Sequence, residues 1–123
     1  MVSRPVVVVV DDDESVRESL PDLLVELGYT TRAFDSAEAF LAADAILEAR
    51  CLILDIAMPG MSGPELYREI RARGHTVPVI FITAQMGASV RPDLMAQGAV
   101  ECLFKPFAEQ DLRAALQVAL GTP

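Results

Sequence analysis

Apolar positions along the chain follow two periods in alternation. Short runs of continuous or alternating hydrophobic residues occupy 6–10, 29–34, 51–54, 77–82 and 99–104, and each predicts a strand. Between and after them, apolar residues recur at three- and four-residue spacing. One stripe holds Val16, Leu20, Leu23, Leu24 and Leu27, the next Phe40, Ala43 and Leu47, and the third Leu66 and Ile70. A shorter one holds Leu94 and Met95, and the last Leu112, Ala115, Leu116, Ala119 and Leu120. Each stripe predicts an amphipathic helix. Strand followed by helix, repeated along one chain, predicts an α/β fold with a five-stranded parallel sheet. The first, third and fourth runs are almost wholly apolar, as central strands covered on both faces must be. Right-handed crossovers then give a doubly wound sheet with helices on both faces, in the flavodoxin-like order 2-1-3-4-5.

Local punctuation agrees with this division. Asp35-x-x-Glu38 and Ser62-x-x-Glu65 both predict capping boxes, and Gly28, Gly74 and Gly98 follow helix ends. Pro21 falls inside the first helix, so it should kink that helix or delay its regular part. Pro92 fits only the first turn of the fourth helix, which predicts a long, mobile loop over residues 84–91. Residues 121–123 only terminate the last helix, and the whole span 1–123 reads as one domain.

Composition narrows the function classes. The chain is 52% hydrophobic and 23% charged, which excludes a disordered tail, and no apolar run approaches the length of a membrane span. The run at 6–10 is too short for a signal-peptide core, so the expected location is cytoplasmic. Net charge is −8, and the ten basic side chains are scattered singly, which argues against a nucleic-acid interface on this chain. Cys51 and Cys102 sit in separate apolar runs without metal-ligand spacing and read as core residues. His75 reads as a surface loop residue away from the cleft.

The predicted topology collects polar residues at one sheet edge, where strand order reverses. The first strand ends VVVVVDDDES. Helix capping accounts for Asp13 and Glu14. Asp11 and Asp12 are left over, and adjacent acids at the mouth of a buried strand suit an oxygen-preferring divalent cation; capping and cation readings both stand at this point. The third strand ends CLILDIAMPGMSG and delivers Asp55, which has no capping duty, to the same edge. The fourth ends PVIFITAQ, bringing the Thr83 hydroxyl, and the fifth ends ECLFKPF, bringing Lys105. Lys105 is the one lysine among the ten basic residues, so a compact ammonium looks chosen there over a guanidinium. Two cation-holding acids, an acid nucleophile, a hydroxyl and an ammonium make up the kit for phosphoryl transfer.

These segments, VVDDDESVR, LILDIAMPGMSG, PVIFITA and GAVECLFKPF, are similar in order and spacing to those of bacterial response regulator receiver domains, and most closely to FixJ-like receivers. The resemblance covers nearly the whole chain. It implies a phosphoacceptor signalling switch of a two-component system rather than a turnover enzyme, catalysing only its own phosphorylation and dephosphorylation. It implies Mg2+ held by Asp11, Asp12, Asp55 and the carbonyl of Ala57, and phosphorylation on Asp55. Thr83 would hydrogen-bond the phosphoryl group and Lys105 would pair with it. The donor would be a histidine kinase or phosphotransfer protein, and self-association into a homodimer on phosphorylation falls within what the family does. One departure stands out: Cys102 lies where receivers usually carry Tyr or Phe, three residues before the lysine, and Phe104 is the nearby aromatic candidate to compensate. Two other readings compete. Asp11-x-Asp13 resembles the nucleophile motif of haloacid-dehalogenase-like phosphatases, but that leaves Asp55 and the MPGMSG loop unexplained. A receiver fold acting only by docking would leave all five polar residues without a role.

Overall fold

The computed structural model describes residues 4–84 and 90–121. Five strands, β1 (Val6–Val10), β2 (Thr30–Phe34), β3 (Cys51–Asp55), β4 (Val79–Thr83) and β5 (Glu101–Phe104), form one parallel sheet in the order β2-β1-β3-β4-β5. Five helices connect and cover them: α1 (Glu14–Glu26), α2 (Ala37–Ala42), α3 (Gly63–Ala72), α4 (Val90–Ala96) and α5 (Glu109–Leu120). Strand alternation splits the core in two. Val8, Val10, Leu52, Leu54, Val79, Phe81 and Cys102 face one way, against Phe40 of α2, Leu66 and Ile70 of α3 and Leu94 of α4. Val7, Val9, Cys51, Ile53, Ile80 and Ile82 face the other, against Leu20 and Leu24 of α1 and Leu112 and Leu116 of α5. Among the described residues, no helix is long and apolar enough to cross a membrane.

The two cysteines are buried on opposite faces of the sheet, as core residues. Burial pushes the Cys51 thiol up to about 12, so it stays protonated and inert. His75 lines a recess with Arg50 and Thr76 at the amino ends of the strands, the opposite edge from Asp55. Gly28, Gly74 and Gly98 all take positive φ just after helix ends, as C-terminal glycines do.

Three local expectations need correction. The stripe Phe40, Ala43, Leu47 is not one helix face: α2 ends at Ala42, Asp44 turns left-handed at φ 54°, and Ala45–Leu47 form a 3₁₀ turn. That turn buries Ala45 and leaves Leu47 exposed. The first capping box also fails by one residue. Ser36, not Asp35, is the cap, accepting from the Ala39 N–H at 3.0 Å, and Glu38 is then out of register for a reciprocal bond. The Ser62–Glu65 box forms in full. Finally, the delay that Pro21 allowed for does not occur: α1 starts at Glu14 and continues through Pro21, which supplies no N–H to the preceding turn. Pro92 sits in the first turn of α4, as expected. Residues 85–89 of the loop expected to be mobile lie outside the described residues.

Candidate functional site

The carboxyl ends of β1, β3, β4 and β5 meet at one cleft. Register does the positioning. After Asp55, the Ile56 N–H donates to the Ile82 carbonyl at 3.0 Å, and the Lys105 N–H donates to the Thr83 carbonyl at 2.8 Å. Side chains that lie far apart in sequence therefore leave the sheet side by side. Asp11, Asp55 and Thr83 are the buried polar residues of the described chain, and Asp12, Ala57, Thr83 and Lys105 line a recess of roughly 360 Å³ with Asp55.

Asp11 is fixed on three sides. Its N–H donates to the Phe34 carbonyl at 3.1 Å, its Oδ1 accepts from the Asp13 N–H at 2.9 Å, and its carbonyl accepts from Arg17 Nη1 at 3.0 Å. Its Oδ2 lies 2.7 Å from Lys105 Nζ, which is 3.7 Å from Asp55 Oδ1. This fully buried oxygen has that ion pair and no further hydrogen-bond partner. Asp13 is committed elsewhere: it caps α1, accepting from the Ser15 hydroxyl at 2.7 Å and its N–H at 3.0 Å, and these bonds lower its pKa. Asp13 caps, and Asp11 and Asp12 are available for other work.

Carboxylate oxygens of Asp11, Asp12 and Asp55 all come within 4.8 Å of one another. The set is hard oxygen throughout, one oxygen is buried without a good hydrogen bond, and a single ammonium cannot balance three carboxylates; these residues fit a divalent cation such as magnesium or calcium. The electrostatics agree. Burial first, and then the Asp11 charge, push the Asp55 carboxyl up to about 7 despite Lys105. Burial works against the Lys105 ammonium, but Asp11 and Asp55 outweigh it and hold its pKa above the usual lysine value.

The chain as a whole is similar to a known family. The family model for the response regulator receiver domain matches residues 7–117. The chain belongs to that family. It is 38% identical over 115 residues to the response regulator protein TmoT of Ectopseudomonas mendocina, covering 94% of this chain and 52% of TmoT. It is 41% identical over 113 residues to the transcriptional regulatory protein FixJ of Azorhizobium caulinodans, covering 92% and 54%. The receiver spans about half the length of these curated relatives. Among solved structures, FixJ-N superposes with a TM-score of 0.84 at 34% identity, covering 99% of this chain and 98% of that one. The response regulator StyR gives 0.87 at 43%, covering 96% and 60%. Cys102, where the resemblance implied an aromatic residue, is buried on β5 opposite Phe81 of β4. Phe104 is 52% exposed at the end of β5 and does not fill that place in the core.

Two residues that hold the site in shape escaped the sequence reading. Arg17 anchors the Asp11 backbone from α1, and Glu38 reaches across from α2 to accept the Met61 N–H at 3.0 Å. Glu38 carried a signal, an acid in a helix's first turn, but capping explained it too easily.

The raised Asp55 pKa has a consequence for stability in chelator. Its folded value of about 7 exceeds the ordinary 3.8, so the folded state favours the protonated form. Stability from this group is complete below about pH 4 and is lost as pH rises through about 7. Other carboxylates here, Asp13 and Glu65, are lowered and act in the opposite sense. The difference between the parent and Asp55→Asn isolates the one group. With EDTA present, urea midpoints should show the parent losing ground to Asp55→Asn between pH 4 and 7, and Asp11→Asn should shrink that loss. A difference flat with pH would refute the assignment.

Proposed function

We propose that this receiver is the phosphoacceptor switch of a two-component system, with Asp55 as the residue that takes the phosphoryl group. The observation that carries the reading is the convergence of the Asp11, Asp12 and Asp55 carboxylates beside Lys105 at one sheet edge. Asp11, Asp12 and Asp55, with the carbonyl of Ala57 on the same cleft, would hold Mg2+. When bound, the cation supplies charge neutralisation at the phosphoryl oxygens.

The chain's own residues do the rest. One Asp55 oxygen attacks the phosphorus in line; the phosphorus–nitrogen bond to the donor histidine breaks, and its electron pair stays on the imidazole. The product is an aspartyl phosphate. Lys105 stands 3.7 Å from Asp55 Oδ1, where its ammonium can pair with an incoming phosphoryl oxygen. Thr83, buried at the end of β4, presents its hydroxyl on the same cleft for a hydrogen bond to the phosphoryl group. The donor is a histidine kinase or phosphotransfer protein in the cytoplasm, and phosphorylation alters the output surface, with a homodimer as one outcome. Net charge of −8 argues against nucleic acid as a direct partner of this chain.

The phosphatase alternative loses its footing because Asp13, the second acid of its motif, is committed to capping α1. Incubation with acetyl phosphate and Mg2+ separates the readings. One hydroxylamine-labile phosphate per chain is the expected product in intact-mass spectrometry. Continuous turnover of a phosphate ester would point to the phosphatase. Neither label nor uptake of beryllofluoride would leave docking alone.

A further inference from the structure

The loop joining β3 to α3 carries Ala57, so whatever holds this loop sets where that carbonyl points. Most of its restraints are local. The Gly63 N–H donates to the Ile56 carbonyl at 3.0 Å and closes the base, and the Ser62 N–H donates to Glu65 Oε1 at 3.1 Å. Met58 is buried in the core and pins the middle. The tip is held from another element. Met61 N–H donates to Glu38 Oε2, 23 residues away in sequence, at 3.0 Å. Gly60 makes room for this contact: a Cβ there would lie 2.7 Å from the same oxygen, and its φ is +75°.

We infer that Glu38 is a positioning residue for the cation-binding loop, its carboxylate bracing the tip so that Ala57 and Asp55 keep a fixed spacing. This deepens the phosphoacceptor reading and rests on it. The brace has a firm base, since α2 is capped by Ser36 and anchored by buried Ala37 and Phe40. Glu38 is exposed, and its contribution is therefore to loop order more than to global stability.

Three substitutions separate reach from charge. Glu38→Gln keeps an acceptor at the same length without the charge. Glu38→Asp keeps the charge one methylene short, and an acid suits the first turn of a helix, so it folds. Glu38→Ala removes both. Mg2+ titration by calorimetry should give Gln an affinity near the parent, and Asp and Ala affinities about three- to tenfold weaker. Amide exchange at Met61 should quicken in Asp and Ala alone, with thermal midpoints close to the parent. An Asp variant that matches the parent while Gln is impaired would assign the effect to charge and overturn the inference. Equal affinities in all four proteins would overturn it as well. A parent that binds no Mg2+ would instead remove the phosphoacceptor reading, and this inference with it.

Discussion

Asp55→Asn should abolish labelling by acetyl phosphate while leaving the fold intact. The amide has the size and shape of the carboxyl, and Asp55 is only 5% exposed at the end of a fully buried strand, so packing changes little. Chemistry changes wholly, because an amide oxygen is a poor nucleophile and the substituted product is not an acyl phosphate. Incorporation should fall to background, at least about a hundredfold below the parent. Three other acids are near enough to be considered as substitutes, and of these Asp11 is fully buried and paired with Lys105. Asp13 is committed to Ser15, and Asp12 is exposed beside the cleft. A hydroxylamine-labile phosphate that persists on Asp12 in the variant, located by peptide mapping, would show that the nucleophile is not fixed by position and would sink the assignment.

The fold was almost entirely legible in the sequence, and the reason is physical. Parallel strands buried on both faces have to be continuous apolar runs, so VVVVV, CLIL and the VIFI stretch announce themselves, and the alternation with helical stripes leaves few topologies. Errors fell where a local choice was nearly balanced. Asp35 and Ser36 are both good caps, and only the tertiary position of α2 decides between them. Leu47 sits at helical spacing from Phe40, but one left-handed residue, Asp44, undoes the register, and no apolar pattern records a single φ. At the site, the five polar side chains were visible because each interrupts an apolar run. Glu38 and Arg17 were not, since they act through backbone groups of other segments, and the spacing of Glu38 pointed only to capping.

Gly63→Ala should be the most damaging small change outside the cleft's own side chains. Gly63 opens α3, and the reason for glycine there is close approach rather than a left-handed backbone. A Cβ would lie 2.1 Å from the carbonyl oxygen of Asp55, 3.0 Å from its carbon and 3.3 Å from Ile56 Cα. All three are main-chain atoms, so no side chain can swing away; either α3 backs off or the end of β3 moves. Moving α3 disturbs Leu66, Tyr67 and Ile70 in the core and breaks the bond from the Gly63 N–H to the Ile56 carbonyl. Moving β3 shifts Asp55 itself. Overpacking of this kind costs about 3 kcal/mol or more, which lowers the thermal midpoint of a domain this size by roughly 10 °C. The folded fraction should also phosphorylate about tenfold to a hundredfold more slowly, because a displacement near 1 Å spoils in-line geometry. Gly74→Ala is the control: open space surrounds it and only its φ of +88° opposes a side chain, so about 1–2 kcal/mol is the expected cost, with labelling unchanged. Urea denaturation gives the stabilities, and acetyl phosphate labelling at low temperature, normalised to folded protein, gives the rates. A Gly63→Ala protein with the stability and labelling rate of the parent would mean that β3 and α3 are not in contact at Asp55, and the loop that carries Ala57 would lose its fixed base.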